Sequence, residues 1–236
     1  METRMKLEGK GSRQYGTDTV LAPKVIDAWK EIDLLTSPNV YPAEIELFQQ
    51  GTTAQDVYFI KQGIVKLIYL HQDGKKVIIG LKYSLSALGA SSVILGERYP
   101  FTAVTMTPCQ IYRIRANDFF RLLQNNEELS LFIHKVHSHE IYDQVSHCTE
   151  LVCCSARQRL EHFLWKLTWA SDRKDVDREF RLRLPLKNNE IAQLIGVTKE
   201  YLSSLIKELE QVNLVRRDKG WLVICEPDNL WHSNDS

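Results

Sequence analysis

The sequence predicts an α+β chain in three parts: a domain of short antiparallel strands, one long helix, and a compact C-terminal pair of helices with a hairpin. Three observations carry this. Short β-type runs separated by turn residues fill residues 40–114. An apolar period of three and four residues then runs from about 117 past 154. Residues 188–207, NNEIAQLIGVTKEYLSSLIK, hold two short helical stretches hinged on one glycine.

The first part begins with a polar, aperiodic tail over residues 1–22, read as mobile or loosely docked. A short amphipathic helix is expected from Pro23 to Leu35, because Pro23 suits a first turn and Val25, Ile26, Trp29 and Ile32 share a face. The strand runs are Glu44–Phe48, Val57–Ile60, Ile64–Tyr69, Lys76–Leu81, Phe101–Met106 and Gln110–Ile114. Gln72-Asp73-Gly74-Lys75 is a hairpin signal, since a tight primed turn needs the positive φ that Asp-Gly tolerates. Such spacing predicts an antiparallel sandwich or barrel over 23–116.

The helix over 117–154 has no internal Gly or Pro. Leu129, Ile133, Val136, Ile141, Val145, Cys148 and Val152 form one apolar line, and Phe119, Leu122 and Phe132 form a second. Two apolar faces need two partners: the strand domain and, most simply, the same helix of a second subunit. Residues 155–236 form the third part: a helix over Ala156–Ala170, a charged loop over Ser171–Glu179, an extended run over Leu182–Leu186, and then the hinged pair.

In that pair, Ile191, Ile195, Val197, Leu202 and Leu205 clamp a core, while Ala192 is small where the helices cross. Gly196 allows the positive φ of a tight turn, and Thr198 caps the second helix. Leu214–Arg217, Asp218-Lys219-Gly220 and Trp221–Ile224 then read as a hairpin. The whole is a winged helix-turn-helix. It offers Lys187, Asn188, Thr198, Lys199, Glu200, Tyr201, Ser203, Ser204, Lys207 and Lys219 to duplex DNA, with Arg216 and Arg217 near the backbone.

Composition sets limits on function. The 236 residues carry 30 basic and 30 acidic side chains, so a polyanion must be met by a local patch. With 44% hydrophobic and 25% charged residues the chain is globular. It has no apolar run of the roughly 20 residues that cross a bilayer, so no membrane partner is expected. The first twenty residues lack the apolar stretch of a signal peptide. Five cysteines without paired spacing fit a cytoplasmic location. No Ser-His-Asp spacing, P-loop or zinc motif is visible, and His71 is the sole histidine before residue 134, so enzyme activity is not expected.

The stretches VYPAEIELFQQG (40–51), VYFIKQGIVKLIYLHQDGK (57–75) and LPLKNNEIAQLIGVTKEYLSSLIKELEQVNLVRRDKGWLVI (184–224) resemble the CRP/FNR family of bacterial transcription regulators over nearly the whole chain. The resemblance implies a β-roll effector domain, a dimerisation helix, and a homodimer placing two recognition helices on a palindromic DNA site, with RNA polymerase a plausible partner. Against the family's usual Arg-Glu-Thr-Val-Ser-Arg run, Glu200 is retained while Lys199 and Ser204 replace arginines. The operator is therefore expected to differ from the usual half-site.

Members that bind cyclic nucleotides carry Gly-Glu and Arg-Ser pairs, where this chain has Gly89-Ala90 and Tyr99-Pro100; Gln144 stands where they have a threonine. The expected effector is an unidentified small molecule other than cAMP, with no resident cofactor. Tyr83, Gly89, Ser91, Ser92, Arg98, Tyr99, Phe101, Thr102 and Gln144 are the expected lining. The absence of cysteine from the first 108 residues speaks against the family's iron–sulfur branch.

Two side readings come from the residues themselves. Cys148, Cys153 and Cys154 lie near the junction with the third part, either as a redox switch or as small buried apolar groups. His134 and His137 share a helix face, but surface or seam histidines are the commoner case, and no metal site is expected. The competing function is a small-molecule sensor whose helical tail docks a protein. Salt-dependent retardation of duplex DNA separates the two.

Overall fold

The computed structural model of the chain describes residues 32–33, 36–170, 179–182, 186–218, 221–225 and 230. The expected tail over 1–22 lies outside these. So does the expected Pro23–Leu35 helix, apart from Ile32 and Asp33, which are helical.

Eight strands build the first domain: β1 (Asn39–Tyr41), β2 (Glu46–Phe48), β3 (Asp56–Gln62), β4 (Val65–Leu70), β5 (Lys76–Lys82), β6 (Ala87–Leu88), β7 (Thr102–Thr105) and β8 (Cys109–Arg115). They form two antiparallel four-stranded sheets, ordered β1-β8-β3-β6 and β2-β7-β4-β5. Alternation on β7 and β8 and continuous buried runs on β3 and β4 drive them together. Phe48, Tyr58, Ile60, Val65, Leu67, Ala103 and Ile111 are buried in one cluster between the sheets. The strands β1 and β6 and the short helix α1 (Ala90–Leu95) are additions to the sequence reading.

The expected continuous helix over 117–154 is two helices, α2 (Ala116–Asn125) and α3 (Glu127–Cys153). Asn126 breaks it, with extended backbone at φ −136°, ψ 99° and a side chain that accepts the Leu129 amide at 2.8 Å. An asparagine cap followed by Glu127 and Glu128 favours the start of a new helix here. The first expected apolar line also divides. Leu129, Ile133 and Val136 pack with Val57, Phe59 and Tyr112 on the roll, as do Phe119 and Phe132 of the second line, whereas Ile141, Val145, Cys148 and Val152 are exposed.

The third part follows at once. Helix α4 spans Ala156–Ala170, β9 spans Glu179–Leu182, α5 spans Asn188–Leu194 and α6 spans Lys199–Gln211. The hairpin is β10 (Val215–Asp218) and β11 (Trp221–Cys225). The extended run expected at Leu182–Leu186 forms three residues earlier, and Glu179, expected in the loop, begins it. β9 pairs with β11, giving the wing a three-stranded sheet, β10-β11-β9. Leu160, Leu164, Leu167, Ile191, Leu202, Leu205, Leu209 and Ile224 are its core, and Ile78 and Met106 of the roll belong to the same buried cluster. Among the described residues no helix is long and apolar enough to cross a membrane.

Candidate nucleic-acid interface

The turn between α5 and α6 has the expected geometry. Gly196 sits at φ +67°, and a Cβ there would lie 3.1 Å from Leu151 Cδ2 of α3. Both facts disfavour a larger residue. Ala192 is 2% exposed, and its carbonyl accepts the Val197 amide at 2.9 Å. Thr198 caps α6, its hydroxyl accepting the Tyr201 amide at 3.2 Å. Behind the helix, Leu202, Leu205, Ile206 and Leu209 are buried.

The opposite face of α6 is open. Lys199, Glu200, Tyr201, Ser204 and Lys207 are exposed, and so are Thr198 and Lys187. Asn188 is half-buried at the first turn of α5. Ser203 departs from the sequence reading: it is half-buried, and its hydroxyl donates to the Lys199 carbonyl at 3.0 Å. That bond ties Ser203 to its own helix. Lys219 lies outside the described residues. The Arg216 and Arg217 backbone pairs with β11, against Val223 and Leu222.

The second candidate site is a cleft of about 1570 Å³ between the roll, α3, α4 and the helix-turn-helix. Of the expected residues, Tyr83, Gly89, Ser91, Ser92, Phe101 and Gln144 line it. Arg98, Tyr99 and Thr102 do not. Arg98 Nη1 donates to the Gly51 carbonyl at 2.7 Å. Thr102 Oγ1 accepts the Gln50 amide at 3.0 Å. Tyr99 is 4% exposed, its hydroxyl donating to the Asp56 carbonyl at 2.7 Å and accepting the Asp56 amide at 3.1 Å. These two bonds to the Asp56 backbone hold it in the roll, where it stacks on Phe48. Gly89, at φ +80°, is needed for packing as well, because a Cβ there would lie 2.8 Å from the Tyr99 ring.

The lysines and the arginine that line the cleft are already engaged, and Asp143 lines it too, its carboxyl pushed up by burial. Lys82 pairs with Glu140 at 2.7 Å, and Lys166 with Glu150 at 3.2 Å. Arg159 donates to the carbonyls of Ile195 and Cys154. Burial pushes the Tyr83 hydroxyl far up and the His137 imidazole down, and His137 Nε2 lies 3.4 Å from Ser91 Oγ. Glu150 is partly buried, which raises its pKa, but hydrogen bonds from His162 and Lys166 outweigh this and hold it below the usual value. Lys82 and Glu150 carry no signal in the sequence, because their pairing depends on how the roll meets α3 and α4.

All five thiols are unbridged; Cys109 is buried, whereas Cys148 and Cys153 are exposed in the single chain. Among the described residues no three His, Cys, Asp or Glu side chains group closely enough to hold a metal.

Comparison with known proteins agrees with this geometry in both halves. Residues 38–126 match the cyclic nucleotide-binding domain and residues 158–232 the Crp-like helix-turn-helix domain. The nitrogen fixation regulation protein FixK of Azorhizobium caulinodans is 25% identical over 75% of this chain and 70% of that protein. The cAMP-activated global transcriptional regulator CRP of Haemophilus influenzae is 23% identical, over 78% of this chain and 82% of its own. Among solved structures, the c-di-GMP-responsive global regulator CLP of Xanthomonas campestris superposes with a TM-score of 0.68 at 20% identity. That match covers 83% of this chain and 97% of CLP.

Proposed function

The chain belongs to the CRP/FNR family of transcription regulators, and from that premise we propose that it acts as a homodimer reading a palindromic DNA site with two copies of α6. The exposed polar face of α6 beyond the Gly196 turn carries this reading. In this reading Lys199, Glu200, Tyr201 and Ser204 meet base edges, while Lys187, Asn188 and Lys207 meet phosphates. Lysine at 199 lacks the planar fork of arginine, so its contact to guanine is a point contact.

Dimerisation is supported by α3. Leu131, His134, Ser138, Ile141, Val145, Cys148 and Val152 alternate at three- and four-residue steps, and all seven are exposed. This is a heptad seam over three repeats, with apolar groups at five of seven positions if Cys148 is counted. Burying each large aliphatic side chain in a partner's seam contributes roughly 1.5–3 kcal/mol. In a paired molecule the two α6 helices would lie one DNA turn apart.

The effector reading is an uncharged or internally neutral molecule in the cleft, other than cAMP. Ala90 is fully buried where cyclic-nucleotide binders carry a carboxylate, and the Arg98 guanidinium is bonded to Gly51. A phosphate in the cleft would have to compete with Glu140 and Glu150 for the lysines and with two carbonyls for Arg159. Occupancy of the cleft would bias the orientation of the DNA-binding domains by a few kcal/mol, enough to shift the population.

Selection of bound duplexes from a random pool tests the function. The expected product is an inverted repeat whose retention falls steeply with salt. A pool that shows no enrichment, or retention indifferent to salt, rejects it.

A further inference from the structure

The docking of the DNA-binding domain on the roll is a feature that DNA reading itself does not require. β5 is the edge strand of its sheet. Its ladder with β4 pairs Ile78 with Ile68 and Gly80 with Leu67, so Ile79 is an extra, bulged residue. Beside that bulge, the Ile78 amide donates to Oε1 of Gln193, 115 residues away, at 2.9 Å. One strand inward, Lys66 is 7% exposed and pairs with Glu44 at 2.9 Å and with Glu190 at 3.7 Å. The Glu190 carboxylate also accepts the Lys187 amide at 2.7 Å. One side chain therefore caps α5 and faces the roll. Apolar contact completes the seat, since Ile78 is buried in the cluster of Ile191, Ile195 and Leu202.

We propose that this edge, Lys66 together with the Ile78 amide, is a docking surface for α5 that fixes the DNA-binding domain in its DNA-competent orientation. The inference rests on the DNA-binding reading above and adds how that reading is regulated. Docking leaves the reading face uncovered: Lys187, Lys199, Glu200, Tyr201, Ser204 and Lys207 are all exposed in the docked arrangement. A domain held only by the hinge at Cys154–Ser155 would lose orientational freedom on binding DNA. A docked one has lost it already, and binds more tightly for that reason. The same strand reaches the cleft, where Lys82 pairs with Glu140 of α3 and Tyr83 forms the wall. An effector acting on the end of β5 thus works on the strand that holds Gln193.

The test uses the full chain with Gln193→Leu, which removes the acceptor, Gln193→Glu, which keeps one, and Lys66→Met. Amide hydrogen exchange at Ile78 is followed without DNA, and affinity is measured for a duplex selected with the unaltered protein. Gln193→Leu should speed exchange at Ile78 and weaken DNA binding about five- to tenfold, the worth of one part-buried hydrogen bond. Gln193→Glu should restore both, and the salt slope should stay unchanged because no phosphate contact is lost. Lys66→Met should weaken DNA binding in the same direction while the protein stays folded. Exchange at Ile78 indifferent to Gln193→Leu would refute the docking. Faster exchange with unchanged or tighter DNA binding would refute the competent orientation. Failure of the unaltered protein to bind any duplex would instead overturn the DNA reading, with the exchange result still reporting on the docking.

Discussion

Arg159 donates from Nε to the carbonyl of Ile195 at 2.8 Å, tying the start of α4 to the turn of the helix-turn-helix. Its Nη1 donates to the Cys154 carbonyl, also at 2.8 Å, at the end of α3. One guanidinium therefore spans the hinge and the turn. Arg159→Ala should destabilise the C-terminal domain by about 2 kcal/mol, because two carbonyls lose a charged donor. Arg159→Lys should recover only part, since an ammonium lacks the fork that reaches both. Thermal unfolding of the two variants checks this.

The Gly196 turn gives a second expectation. Gly196→Ala should cost about 1–2 kcal/mol from the positive φ, with further strain from the 3.1 Å approach to Leu151. Adding Leu151→Ala should relieve the steric part and leave the backbone part. Denaturant titrations of the single and double variants separate the two contributions.

Val145→Glu places a charge at the middle of the exposed seam on α3. Sedimentation should show a folded monomer in place of a dimer, with far-ultraviolet dichroism unchanged because Val145 is exposed in the single chain. A variant that stays dimeric would move the subunit contact away from α3.

Acid should loosen the junction of α3 and α4. The Glu150 carboxyl is held below its ordinary value of 4.5 in the folded chain. A carboxylate depressed on folding contributes stability that is fully present above 4.5 and lost as the pH falls through the lower, folded value. Glu150→Gln should remove that part of the acid sensitivity and cost about 1–3 kcal/mol at pH 7, by depriving His162 and Lys166 of a charged acceptor. Melting curves from pH 7 to pH 3 read both effects.

What the sequence shows and what it hides follow from the range of the interactions. The Gly196 turn and the Thr198 cap are local, set by a few neighbouring residues, and both are legible in the string. The break at Asn126 was local too. Its signal, an asparagine before two glutamates, is weaker to the eye than a Gly or Pro. β1 and β6, at three and two residues, are too short to carry a period. Tyr99 and Arg98 sit close to the cleft in sequence, yet the Asp56 backbone and the Gly51 carbonyl take them elsewhere. Least legible is the seat of α5 on β5, because Ile78 and Gln193 are 115 residues apart and neither stands out alone.

The central claim is that α6 reads DNA twice in a paired molecule, and equilibrium binding to a selected inverted repeat tests it most directly. The account predicts that Lys199→Ala weakens binding and relaxes base preference at one position in each half-site, by less than the roughly 1–3 kcal/mol of a bidentate pair. It predicts as well that deleting one half-site removes most of the affinity. Equal binding to whole and half sites, or base preference untouched by Lys199→Ala, Glu200→Ala and Ser204→Ala alike, would contradict it.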